Sequence, residues 1–271
     1  ATESLPKTDW LNVSSILIDV YNANDTEQTI GFKYLTKKED NEIMSAEIVE
    51  TIPAKTQKTV EFVINRDLTA YFLNLDVVST LNLTFENATS WEQPYRVFFV
   101  DNMRYKTTDE PINQNVKVRE DGELESCDLP EYTAAWRNIL SYVYSRAALS
   151  FNSDPAFIKG GEGSFKLQSH YTNGLPDANR TIGINMLSSE ITDWSDYYSI
   201  SYWVYNDNEV PITYFWYNTY LGVLPAKEWT FVEITIDWIK ANDTIRDITN
   251  ILPSFRFWVG EDQMYTLYID E

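Results

Sequence analysis

The sequence predicts an all-β protein: two tandem β-sandwich domains, with one short helix near the start of the second. Three observations carry that expectation. Short runs rich in β-branched and aromatic residues recur along the chain, separated by Asn, Asp and Gly turns. No strand–helix–strand alternation interrupts them. The chain also repeats itself, with matches in the same order in its two halves.

In the first half, Ile16–Tyr21, Thr29–Leu35, Thr59–Asn65, Leu81–Glu86 and Arg96–Val100 read as strands. In the second, Phe165–Ser169, Thr181–Met186, Ser199–Asn206, Ile212–Tyr217, Phe231–Ile236, Phe255–Val259 and Tyr265–Ile269 do so. Asn22-Ala23-Asn24-Asp25 and Asn206-Asp207-Asn208 supply turn chemistry between them. One segment has another period. Asp128-Leu129-Pro130-Glu131 has capping-box spacing, and Trp136, Ile139, Leu140 and Val143 follow at helical intervals. The short helix is expected there.

The repeat has three parts. Asp9–Asn24 aligns without a gap to Asp193–Asn208, with eight of sixteen residues identical. Ile52–Ile64 aligns to Leu224–Ile236, and Tyr95–Asp101 to Met264–Asp270. The offset drifts from 184 to 172 to 169, so only loops differ in length. Units this long are domains and not solenoid repeats. The expected boundaries are 1–108 for the first domain, 109–122 for a polar linker and 123–271 for the second. A long stretch precedes Asp193 but only eight residues precede Asp9. This leads us to expect a first domain lacking its opening strands, cut from a longer multi-modular chain.

Composition narrows the function. Acidic residues number 41 and basic ones 21, a formal charge of −20. That repels nucleic acid and anionic membrane. No apolar run reaches the roughly 20 residues of a membrane helix. One Cys and one His exclude a disulfide framework and a Cys/His zinc site. No phosphate-loop or nucleophile-elbow motif occurs, and Gly160-Gly161-Glu162-Gly163-Ser164 reads as a turn. Aromatics reach 15 %, and seven of the nine Trp lie beyond residue 130.

The grammar of the second domain resembles a known group. Leu124-Glu125-Ser126 stands like an "ESFE" first strand, and GGEGSFKL at Gly160–Leu167 like a "G..SLkl" second strand. Val204-Tyr205-Asn206, LPAKEWTFVEITI at Leu224–Ile236 and LYID at Leu267–Asp270 continue the pattern. The first domain closes on FFVDNMRY, Phe98–Tyr105, which is similar to the same last strand. Cys127 stands where that group has an aromatic. The chain thus resembles galactose-binding-like jelly-roll carbohydrate-binding modules. The resemblance implies polysaccharide or oligosaccharide binding by a secreted or cell-surface bacterial protein. It also implies a structural calcium, with Glu125 and Asp270 as the matching positions and Asp101 as the counterpart in the first domain.

A sugar site needs flat aromatics against C–H faces and polar side chains for hydroxyls. Strand alternation gives candidates. Trp203, Glu233, Arg256, Trp258 and Tyr268 fall on mixed, non-aliphatic faces. Trp216, Tyr217 and Tyr220 are expected near a loop rim, with Trp229 in the same cluster, and Trp91 is the corresponding candidate in the first domain. No catalytic residue is expected. Non-catalytic polysaccharide binding leads. A structural or adhesive sandwich pair, and a fragment of a polysaccharide-degrading enzyme, stay open.

Overall fold

The computed structural model describes residues 9–38, 41–85, 96–113, 122–138, 147–169, 181–187, 189, 191–259 and 264–271. The chain divides into two units, Ala1–Val118 and Arg119–Glu271. Among the described residues, no helix is long and apolar enough to cross a membrane.

In the first unit the strands are β1 (Val13–Asn22), β2 (Gln28–Lys38), β3 (Asn41–Met44), β4 (Ile48–Ile52), β5 (Gln57–Val63), β6 (Val78–Phe85) and β7 (Phe98–Thr107). Helix α1 (Arg66–Phe72) follows β5. All pairing is antiparallel, in the order β5-β1-β7 in one sheet; in the other β2 pairs β3, β4 and β6. Alternation along β1 sends Ile16, Ile18 and Val20 inward. They meet Ile30, Phe32 and Tyr34 of the facing sheet, where Phe32 stacks on Phe62 with ring centres 4.9 Å apart.

The second unit repeats this plan and adds to it. Its strands are β8 (Trp136–Asn138), β9 (Ala147–Asn152), β10 (Ser164–Ser169), β11 (Thr181–Met186), β12 (Ser199–Asn206), β13 (Ile212–Trp216), β14 (Thr219–Leu224), β15 (Trp229–Thr235), β16 (Ser254–Trp258) and β17 (Thr266–Asp270), with α2 (Ile236–Asn242) after β15. One sheet runs β15-β12-β17-β10-β9 and the other β14-β13-β16-β11-β8. Their inner faces meet through Tyr202 and Phe255, with ring centres 4.1 Å apart. The fold is all-β, as expected.

The repeated residues take matching places. Trp10 and Trp194 are both buried. Trp10 N donates to Leu75 O at 2.8 Å, and Trp194 N to Ile248 O at 2.9 Å. Asn22 and Asn206 are buried hubs. Each amide donates to backbone carbonyls and each Oδ1 accepts from the amide of an Asn two residues on, at 2.7 Å.

Three local expectations change. The segment after Asp128 forms the expected short helix as a 3-10 helix, Pro130–Ala135, but Trp136 opens a strand instead of continuing it. Its ring is buried between Phe165 and Phe255, and Asp128 accepts from Glu162 N and Gly163 N in place of capping a helix. Ile139, Leu140 and Val143 lie outside the described residues. Asn65 and Ile236, read as strand ends, stand at helix starts. Asn65 caps α1, and Thr235 caps α2 by accepting from Trp238 N at 3.2 Å. The Gly160–Ser164 turn holds its own anions, because Lys159 N and Gly160 N both donate to Asp270 Oδ2.

Candidate functional site

β16 lies in the middle of its sheet, with β13 on one side and β11 on the other. Alternation sends Phe255 and Phe257 into the core and leaves Ser254, Arg256 and Trp258 on the outer face. Phe215 of β13 and Gly183 of β11 stand opposite Arg256. Thr213 and Thr181 stand opposite Trp258. Tyr220 of β14 pairs with Phe215, their rings edge-to-face with centres 6.2 Å apart. Trp258 is 41 % exposed and Tyr220 59 %.

This face has unspent hydrogen-bonding capacity. Ser254 Oγ, Arg256 Nε and Asn185 Oδ1 are buried without a hydrogen-bond partner in the protein. An unmet buried polar group costs about 1–3 kcal/mol. Asn218 Oδ1 accepts from Arg256 Nη1 and fixes the side chain along the β13–β14 turn. Tyr217 makes that turn possible at φ +50°, and its hydroxyl donates to Leu252 O at 2.5 Å. Arg246 lies 3.8 Å over the Tyr217 ring. Burial, and then the nearby Arg246 charge, hold the Arg256 guanidinium below its ordinary pKa.

The other sheet's outer face is differently used. Trp203 packs on Phe231 with ring centres 5.0 Å apart, and Lys159 Nζ sits 4.2 Å over Trp203. Tyr205 packs on Trp229. Phe157 lies parallel on Tyr268 at 4.2 Å and covers it, and burial pushes the Tyr268 phenol up to about 12. Glu233 is exposed and accepts from Ser199 Oγ at 2.9 Å. Phe231 nevertheless stays 50 % exposed, so part of this face is open to solvent.

The expected platform therefore divides. Trp203, Glu233, Tyr268 and Trp229 belong to one sheet, Arg256 and Trp258 to the other. Each strand's facing follows its alternation, but strand partnership decides which residues share a surface. Trp216 is corrected outright. It is 0 % exposed, on the inner face opposite Phe255, because β13 enters with Ile212 inward and two steps of alternation bring Trp216 inward too. Tyr217 is a turn residue under Arg246. Trp91 lies outside the described residues. Phe215, Asn218, Asn185 and Ser254 were missed, whereas Tyr220 was expected at the rim. The hairpin turn is Tyr217-Asn218, and its position sets the phase of Tyr214–Tyr220.

The expected metal positions differ between the units. Glu125 and Asp270 line one cavity of about 400 Å3 with Cys127, Trp136, Trp194 and Tyr202. Its lining mixes core side chains with exposed Tyr197 and Phe231 and with Trp203, so its size suits a small molecule or a sugar unit as well as an ion. Asp270 Oδ1 is buried without a partner, and burial raises its carboxyl to about 6. Glu125 accepts from Trp136 Nε1 at 2.9 Å and from Cys127 N at 3.4 Å. Carboxylate oxygens keep further lone pairs, so both groups fit a hard cation, and carbonyls or water would complete the six to eight ligands. Among the described residues no set of three acidic, His or Cys groups comes together. Asp101 does not fit. It is exposed on β7 and accepts from Asn102 N, and no described carboxylate stands to it as Glu125 stands to Asp270.

Comparison with protein-family profiles and with curated protein sequences gives no match. Solved structures do match. A family 11 carbohydrate-binding module from Clostridium thermocellum, in complex with a β-1,3-1,4-mixed-linked tetrasaccharide, is 15 % identical. The match covers 51 % of this chain and 86 % of that one, at a TM-score of 0.33. The family 11 module of the C. thermocellum cellulosomal cellulase Lic26A-Cel5E is 15 % identical over 55 % of this chain and 91 % of that one, with a TM-score of 0.34. The N-terminal tandem of family 22 modules from Paenibacillus barcinonensis Xyn10C is 11 % identical over 100 % of this chain and 80 % of that one, with a TM-score of 0.29. The functional reading rests on the surface itself.

Proposed function

We propose that this protein binds polysaccharide without catalysis, through the outer face of the sheet centred on β16. The observation that carries the reading is the placement of exposed Trp258 beside Arg256 on a central strand, flanked by Phe215 and Tyr220. A ring can stack on Trp258 while its hydroxyls reach toward the partly buried Arg256 guanidinium two residues away on the same face. A five-stranded sheet face is extended, as a polymer requires. In this reading the two units are tandem copies of one module, carried outside the cell within a longer multi-modular chain.

Affinity electrophoresis in gels cast with individual polysaccharides tests it. Trp258→Ala is expected to weaken retention tenfold or more, with unfolding free energy within about 0.5 kcal/mol of wild type because the side chain is on the surface. Trp203→Ala, on the other sheet, is expected to retain binding. Loss in the second variant and not the first would move the site to the opposite face.

Calcium belongs to the same proposal at Glu125 and Asp270, where it would neutralise two buried carboxylates and tie the last strand to the start of the unit. A buried Asp270 with a raised carboxyl contributes its stability below pH 4, and that contribution is lost as pH rises through about 6. A bound cation reverses that loss. Added calcium should raise the melting temperature at pH 8 and EDTA should lower it. No shift with either would remove the ion from the reading.

A further inference from the structure

We infer that the polysaccharide carries an anionic substituent, a uronate carboxylate or a sulfate ester, that seats on Arg256. The inference rests on the binding face proposed above and names the chemistry that face selects. Carboxylates outnumber basic side chains 41 to 21 in this chain, so a guanidinium usually has an acid to pair with. Arg256 is partly buried on the outer face, yet among the described residues its polar contact is the neutral Asn218 amide oxygen. Among the described residues no carboxylate pairs with it. The charged group close enough to perturb it is another cation, Arg246, and Arg246 is itself paired to Asp243 at 3.6 Å.

A half-buried cation with a like charge beside it, and no acid, is electrostatically costly. The protein carries that cost beside the partly exposed Trp258 and on the face shared with Tyr220. An anion on the ligand would supply the missing charge. The geometry admits one, because Asn218 holds one end of the fork in place and no described acid occupies the rest of the guanidinium. Two strand residues away, on the same face, Trp258 would hold the sugar ring whose substituent reaches Arg256. The −20 net charge opposes a polyanion at range. At physiological ionic strength that field decays over about 8 Å, so the local guanidinium decides contact.

The test uses the full chain in gels containing glucuronoxylan, alginate, pectin, carrageenan, xylan, mixed-linkage β-glucan and mannan. Each anionic polymer is paired with its carboxyl-reduced or desulfated form. Strongest retention is expected on an anionic polymer, falling about tenfold on its neutralised form. Loss on carboxyl reduction identifies a uronate, and loss on desulfation a sulfate. In Arg256→Gln that tenfold ratio should fall to about one, and Arg256→Lys should keep part of it. Melting curves of both variants confirm folding. Equal retention on neutral and anionic polymers, or a ratio unchanged in Arg256→Gln, overturns the inference and leaves polysaccharide binding standing. Retention on no polymer overturns the binding reading itself.

Discussion

β7 of the first unit and β17 of the second each pair with the first repeat strand, yet their inward residues meet different surroundings. Val100 stands opposite Val20 in β7 as Ile269 stands opposite Val204 in β17. Ile269 is 4 % exposed and Val100 44 %. The cause is visible in the sheet order. β17 has β10 and β9 beyond it, and the facing sheet continues from β16 to β11 and β8. In the first unit the corresponding sheets stop, among the described residues, at β7 and β6. The repeat thus specifies a half-sandwich, three strands against three with short β3 alongside. Four more strands close the core in the second unit. They also place β16 in the interior of its sheet, which gives Trp258 and Arg256 neighbours on both sides. A binding face needs that width, and only the second unit's described strands provide it.

The largest test of this contrast is a pair of core truncations. Ile269→Ala should cost about 2–5 kcal/mol, because it opens a cavity in a closed core. Val100→Ala should cost about 0.5 kcal/mol or less, because a half-exposed side chain has little burial to lose. Denaturant unfolding of the full chain, with the two transitions followed separately, measures both. Similar losses at the two positions would mean that β7 is covered in solution as β17 is, and the contrast would fail.

That contrast also marks how far sequence reading reaches. The repeat located Trp10 and Trp194, Asn22 and Asn206, and the closing strands, because identical residues at fixed offsets demand equivalent backbone. Alternation gave the inner and outer residues of β12, β15 and β16, because a strand's facing is a property of that strand alone. It could not tell that Trp203 and Trp258 lie on different sheets. That depends on β17 pairing with β12 while β16 pairs with β13, a long-range choice with no local signal. Trp216 was misplaced for a related reason. A cluster such as Tyr214–Tyr220 is aromatic on both faces, so composition leaves its phase open until the hairpin turn is fixed. Trp136 was lost to a helical period that tertiary packing against Phe165 and Phe255 overrides.

The finest test asks whether the equivalence of the two units extends to one backbone angle. Lys55 and Lys227 occupy the Pro-Ala-Lys turn of each repeat at φ +54° and +57°. A left-handed L-residue costs about 1–2 kcal/mol, which glycine avoids. Each ammonium returns part of that cost. Lys55 Nζ donates to Ala23 O at 2.7 Å, and Lys227 Nζ to Asp207 O at 3.0 Å. Lys227 also pairs with Asp207 and Glu209, and Lys55 with Asp25. Such exposed pairs are worth about 0.2–1 kcal/mol. Lys→Gly at either site should therefore change stability by about 0.5 kcal/mol or less, whereas Lys→Ala keeps the strained angle, loses the contacts and should destabilise by up to about 1 kcal/mol. The same order of Gly above Ala at both positions, read from denaturant midpoints, would show that the turn geometry is what the repeat conserves between its halves. Ala equal to Gly at Lys227 alone would show that its second acidic partner, and not the angle, decides stability there.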